Sequence, residues 1–182
     1  MKAIAQVFWV AGNWPGRLGI VPRPRGGDWL ADEVAAWRAA GIDEIVSLLE
    51  PHEVRELELA LEPDLCRIHG MQHHAFPVAD RGVPESGTEA VNLAVALLKS
   101  LRRGRSVAAH CRQGIGRSAS LVALVLSLSG LDPDRAFQAV QKARGCPVPD
   151  TEEQRAWVTR LVRSLTAGGG RPASGVREHC DD

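Results

Sequence analysis

The 182-residue sequence predicts a three-layer α/β/α fold, with a central, mostly parallel sheet and helices on both faces. Three observations carry this. Short apolar runs alternate along the chain with longer segments whose apolar residues recur at helical spacing, the pattern of repeated strand and helix units. Gly and Pro cluster between these segments and punctuate them. A hydrophobic content of 45% with no internal repeat supplies one sizeable core at this length.

Residues 5–10 and 17–21 read as two short strands joined by the turn Gly12-Asn13-Trp14-Pro15-Gly16. Asp28 is placed to cap a helix in which Leu30, Val34 and Trp37 share one face, ending at Gly41. Residues 45–49 follow as a buried strand. Pro51 opens a helix through Leu61, with Val54, Leu57 and Leu61 on one face, and Pro63 stops it. Residues 74–78 form the next strand, and 80–87 a polar loop holding Gly82, Pro84 and Gly87. A helix over 88–103 carries the stripe Val91, Ala94, Leu98 and Leu101, and Lys99, Arg102 and Arg103 complement its dipole. A strand over 106–109 runs directly into His110-Cys111, and the turn 112–116 leads to an apolar helix over 117–128. Asp132-Pro133 starts another helix, which buries Phe137 and Val140 and stops at Gly145. Thr151 begins the last, with Trp157, Leu161 and Leu165 on one face. Beyond Thr166 a Gly-rich run cannot offset its ordering entropy, which predicts a domain over 1–166 and a flexible tail over 167–182.

Twenty-two Lys and Arg balance 22 Asp and Glu, which excludes a globally basic protein drawn to polyanions or a nucleic-acid scaffold. The four cysteines, at 66, 111, 146 and 180, are too irregular for a disulfide framework, and no run resembles a signal peptide or a membrane span. The expectation is a cytoplasmic, soluble chain. The balance separates locally, because residues 90–131 contain no Asp or Glu and carry Lys99, Arg102, Arg103, Arg105, Arg112 and Arg117, a charge of +6.

That cationic segment centres on Val107-Ala-Ala-His-Cys-Arg-Gln-Gly-Ile-Gly-Arg-Ser118, where a strand ends on a cysteine and a helix begins shortly after. Successive N–H groups there can turn inward as an anion nest, and the helix N-terminus adds positive potential. Arg112, Gln113, Gly114, Ile115, Gly116 and Arg117 are therefore the expected phosphate-binding residues, with the glycines permitting the backbone this requires. The same potential favours a thiolate at Cys111. The planar fork of Arg117 can hold two phosphoryl oxygens at once.

His110-Cys111-x-x-Gly114-x-Gly116-Arg117-Ser118 resembles the H-C-x-x-G-x-G-R-S signature of cysteine-dependent protein tyrosine and dual-specificity phosphatases. The resemblance, over roughly residues 5–165, implies the phosphatase α/β fold and hydrolysis of phosphomonoesters in two covalent steps without metal or cofactor. It implies that Cys111 attacks phosphorus, that Arg117 binds the phosphoryl group, that the Ser118 hydroxyl stabilises the departing thiolate, and that His110 supports the loop. Asp80, in Phe76-Pro-Val-Ala-Asp-Arg-Gly-Val-Pro84, resembles the general acid of the F-P-x-x-D-x-x-x-P loop, and Glu85 on the same loop is the reserve. Thr151-x-x-Gln154 is a capping box, which is a sufficient structural reason for Gln154. It is also similar to the family's late glutamine segment, whose side chain helps place the hydrolytic water, so both roles stand open.

The chain contains no Tyr and no counterpart of the loop that deepens the phosphotyrosine pocket in the large tyrosine-specific enzymes, which points to the small dual-specificity-like branch. The expected partner is a phosphorylated protein or another phosphomonoester, met by a monomer. Two alternatives remain. Arg112 resembles the basic residue of phosphatases that accept polyanions, such as a phosphoinositide or a phosphorylated nucleotide end, unless it is an ordinary surface Arg. From another class, the chain is a phosphate-recognising module without turnover. Cys66-x-x-His69-x-x-x-His73-His74 has metal-capable side chains without paired ligand spacing, so no metal is expected there. Cys66, Cys146 or Cys180 could trap an oxidised Cys111 as a disulfide.

Overall fold

In the computed structural model, which describes residues 4–168, the strands β1 (Phe8–Val10) and β2 (Leu18–Ile20) pair antiparallel, with Phe8 opposite Ile20. A single 3-10 turn over Gly27–Trp29 then leads into α1 (Leu30–Ala39). Asp28 lies inside that turn and caps nothing, because the positive φ of Gly27 (58°) starts the chain turning one residue earlier than expected. Leu30, Val34 and Trp37 are buried as the spacing predicted.

After β3 (Glu44–Ser47) the expected single helix is two: α2 (Pro51–Glu56) and α3 (Glu62–Ile68). Glu58 takes a positive φ of 55° and breaks the run, so Leu59 turns into the core while Leu61 is left exposed. Pro63 sits in the first turn of α3, where its missing N–H has no intrahelical partner to lose, so it starts a helix instead of stopping one. The strand expected at 74–78 lies at β4 (Gln72–Ala75), in parallel register with β3, because Pro77 cannot donate to a ladder.

The second half follows the expected order: α4 (Gly87–Arg102), β5 (Val107–His110), α5 (Arg117–Leu128), α6 (Pro133–Arg144) and α7 (Glu152–Gly168). In α4 the buried face is Ala90, Ala94, Leu97, Leu98 and Leu101, with Val91 half-buried at its edge. The expected tail lies, from residue 169 onward, outside the described residues.

The five strands run in the order β1-β2-β5-β3-β4, so β5 is central and parallel to both neighbours. Alternation along the strands sends Val46, Val107 and Ala109 to one face, against α4, α5, α6 and α7, and Ile45 and Ala108 to the other, against α1 and α3. Residues 117–127 of α5 are all buried, which explains its nearly uniform apolar sequence. The sheet thus delivers the end of its central strand to the start of its most buried helix. Among the described residues no helix is long and apolar enough to cross a membrane.

Candidate active site

The turn between β5 and α5 wraps around a sulfur. Cys111 is 3% exposed, its Sγ accepts the Gly114 N–H at 3.2 Å, and the Ser118 hydroxyl lies 3.4 Å away. Gly114 holds φ at 71°, and a Cβ there would meet the Ile20 side chain at 3.2 Å. At Gly116 a Cβ would stand 3.0 Å from Asp150 and from the Gln154 amide. Gly114 is therefore held to glycine by its backbone, and a side chain at Gly116 would have to push Asp150 and Gln154 aside. Gln113, Ile115 and Gly116 wall one side of a pocket that opens above Cys111, and Asp80, Arg81, Asp150 and Gln154 wall the other.

Arg117 reaches back beneath this pocket. Its Nη1 and Nη2 donate to the two carboxylate oxygens of Glu53 at 2.6 and 2.9 Å, and Nη1 also reaches the carbonyls of Val78 (2.9 Å) and Leu48 (3.3 Å). Nη2 spends its second proton on Asp80 Oδ1 at 3.0 Å. The edge formed by Nε and Nη2 remains for a ligand, with Asp80 occupying half of it. Burial opposes charge on both partners and is the largest single influence, yet the hydrogen bonds and neighbouring charges together outweigh it. The Arg117 pKa is raised above its ordinary value, with the charges of Cys111 and Asp80 contributing, and that of Glu53 is lowered, helped by the Glu50 N–H.

His110 is fully buried, and its Nε2 lies 2.9 Å from Glu62 Oε1, which His73 Nε2 also approaches at 3.1 Å. Burial would push the Glu62 carboxyl up, but the charge and hydrogen bonds of His110, with those of His73, hold it down at about 2 from an ordinary 4.5. An ionised carboxylate only accepts, so both imidazoles present a proton on Nε2. A depressed carboxyl stabilises the fold fully above pH 4.5 and loses that contribution as pH falls toward 2. The shift is worth on the order of 3 kcal/mol. In Glu62→Gln, urea unfolding measured across that window should show an acid limb flatter by about this amount. An unchanged limb would show that Glu62 carries no such linkage.

Asp80 is mostly exposed, on a turn in which Arg81 has a positive φ (58°) and the Gly82 N–H bonds Ala79 O. Of the two roles open for Gln154, the structure shows the capping box. Gln154 exchanges capping-box bonds with Thr151, and its Nε2 donates to Gly82 O at 3.0 Å, tying α7 to the loop that bears Asp80. Arg81 and Asp150 form a second tie, at 3.6 Å.

Other expected residues lie elsewhere. Glu85 is exposed and does not line the pocket. The Arg112 guanidinium points to Glu56 at 2.8 Å, and the residue does not line the pocket. Much of the local +6 is met by carboxylates from other segments: Glu44 pairs with Arg105, Glu56 with Arg112, and Glu53 with Arg117. Cys66 is buried, and burial with the charge of Glu62 pushes its thiol up to about 12. His73 and His74 are engaged by Glu62 and Glu44. Cys146 is half-buried against α6, and Cys180 lies outside the described residues.

Sequence reasoning missed Glu53 and Glu62. For Glu53 a local signal existed: Glu50-Pro51-His52-Glu53 is a helix start whose capping box forms in the structure. Nothing local pointed to Arg117 or His110 as partners.

A family model described as "Polymorphic toxin system, DSP-PTPase phosphatase" matches residues 21–130. "Cyclin-dependent kinase inhibitor 3" of Mus musculus is 26% identical over 131 residues, 71% of this chain and 62% of that protein. The "Probable protein tyrosine phosphatase type IVA A" of Dictyostelium discoideum is 28% identical over 106 residues, 57% and 63% of the two chains. The chain thus spans about three fifths of the length of these curated relatives. A crystal structure of kinase associated phosphatase, with its catalytic-site cysteine substituted by serine, superposes with a TM-score of 0.83 at 20% identity, covering 92% of this chain and 99% of that one.

Proposed function

The chain belongs to the DSP-PTPase phosphatase family, and from that premise we propose that it hydrolyses phosphomonoesters through a phosphocysteine on Cys111. The observation that carries the reading is the convergence on one pocket of the Cys111 sulfur, the inward Gly114 N–H, the Arg117 fork and the Asp80 carboxyl. In the first step the Cys111 thiolate attacks phosphorus and the ester oxygen leaves with a proton from Asp80. In the second, water gives a proton to Asp80 and attacks phosphorus, the S–P bond breaks, and inorganic phosphate departs. Ser118 and the Gly114 N–H receive the sulfur's returning charge. Arg117 holds two phosphoryl oxygens on its Nε and Nη2 edge, where a planar fork binds best. Glu53 fixes that fork by gripping the other edge. Gln154, tied to Gly82, stands where it can orient the hydrolytic water.

A phosphorylated protein side chain is the substrate class, supported by the likeness to a tyrosine phosphatase and to a kinase associated phosphatase. The polyanion alternative drew on Arg112, whose guanidinium is engaged by Glu56. A thiolate nucleophile requires a reducing compartment such as the cytoplasm.

The test is release of para-nitrophenol and phosphate from para-nitrophenyl phosphate between pH 5 and 8 with EDTA present, followed by phosphotyrosine, phosphoserine and phosphothreonine peptides. Turnover is expected. Phosphate binding without turnover would leave the recognition module as the function. For Asp80→Asn we expect kcat on phosphotyrosine peptides to fall about 10²-fold or more, with loss of the alkaline arm of the pH profile. An unchanged profile would move the acid role to Glu85.

A further inference from the structure

We infer that Arg144, the last residue of α6, is a positioning residue that aims the anion-binding N–H groups of the Cys111 loop, an inference that rests on the phosphatase reading of this site. Its Nε donates to Gly114 O at 2.8 Å and its Nη2 to Gln113 O at 3.4 Å. The guanidinium lies over the Phe8 ring of β1, 3.9 Å from the centroid, so the side chain is braced on its face as well as by its hydrogen bonds. No other part of the described structure donates side-chain hydrogen bonds to these two carbonyls.

Peptide geometry turns this grip into a functional statement. A trans peptide unit is planar, with its C=O and N–H on opposite sides. Pulling the Gln113 carbonyl outward therefore drives the Gly114 N–H inward, and that N–H meets Cys111 Sγ at 3.2 Å. Pulling the Gly114 carbonyl outward does the same for the N–H of Ile115, a residue that lines the pocket. A loop with glycines at 114 and 116 has little intrinsic preference for this orientation over a flipped one. At Gly114 the positive φ of 71° is one that residues with side chains rarely adopt, and a Cβ there would meet Ile20 Cγ2 at 3.2 Å, so no side chain at this position can set the following plane. Arg144 makes the choice. A cationic donor on the carbonyl also polarises the unit, strengthening the N–H at its other end.

The experiment compares wild type, Arg144→Ala and Arg144→Lys by three readouts: kcat and KM on para-nitrophenyl phosphate, the dissociation constant of inorganic phosphate, and the backbone amide signals of Gly114 and Ile115 on phosphate addition. Arg144→Ala should raise the phosphate dissociation constant about tenfold, the loss expected for one charge-assisted hydrogen bond, and lower kcat by at least as much. The Gly114 and Ile115 signals should respond weakly. Arg144→Lys, whose ammonium still reaches one carbonyl, should recover part of both and serves as the folded comparator if the alanine variant is unstable. A variant that melts lower but keeps wild-type kcat, KM and phosphate affinity would overturn the proposal, leaving Arg144 a structural contact. If wild type shows no turnover yet binds phosphate through Gly114 and Ile115 in an Arg144-dependent way, the positioning role stands and the phosphatase reading falls. Absence of both turnover and phosphate binding overturns both.

Discussion

Cys111→Ser is expected to lower turnover of para-nitrophenyl phosphate by about 10⁴-fold or more, because a nucleophile that acts as a unit with its surroundings cannot be replaced piecemeal. Serine is nearly isosteric with cysteine, so the Gly114 N–H and the Ser118 hydroxyl keep an acceptor at hydrogen-bonding range and the fold keeps its buried loop. What is lost is ionisation: an alkyl alcohol stays protonated where a thiol can become a thiolate. Phosphate affinity should be retained, since the nest and the Arg117 fork are untouched. The check is a kinetic comparison at matched folding, with thermal melting beside it. Residual activity within tenfold of wild type would place the nucleophile elsewhere.

Arg117→Met carries the second large effect, and it divides into chemistry and stability. Loss of the fork removes the group that, in the proposed mechanism, binds the phosphoryl oxygens, which should lower kcat by about 10³-fold. It also leaves Glu53, a carboxylate 2% exposed, without its hydrogen-bonded cation and with only the more distant Arg112, at 3.7 Å. Breaking a buried pair by removing one partner costs about 3–5 kcal/mol. The two consequences separate in the double variant Arg117→Met with Glu53→Gln. A neutral amide tolerates burial and can still accept the Glu50 N–H bond that now goes to Glu53, so most of the stability should return while activity does not. Urea unfolding of the four combinations measures the coupling directly. If the double variant is no more stable than Arg117→Met, the buried charge is not the source of the loss.

The parts of this molecule legible in its sequence are those whose signal is local. The Cys111 loop announces itself through residues that must be contiguous, and α5 through an apolar run that fits only a fully buried helix. The antiparallel opening pair and the capped α6 were readable from turn and cap chemistry. The break between α2 and α3 was not, because Glu58 at positive φ leaves no composition signal and Pro63 is compatible with either a stop or a start. The buried carboxylates were invisible for another reason. Glu53 and Arg117 are 64 positions apart, and Glu62 and His110 are 48 apart, so their identities as partners exist only once the sheet is assembled. The same holds for charge: the acid-free stretch from 90 to 131 reads as a cationic surface in one dimension, and the fold brings carboxylates to several of its arginines.

In the proposed mechanism the Asp80 carboxylate on the open edge of Arg117 makes phosphate entry an exchange of anions. An incoming dianion takes the place of a tethered monoanion, so the guanidinium never gains a full new counter-charge, and salt competes with both states. The tether also acts as a filter. A carboxylate on a short loop competes at an effective concentration in about the millimolar range, which excludes anions that offer the fork nothing better. A phosphoryl group does offer more, because it fills the fork and the loop N–H groups together. In the proposed mechanism its arrival releases the Asp80 carboxylate beside the ester oxygen, free of its cation and able to take up the proton that the leaving group then receives.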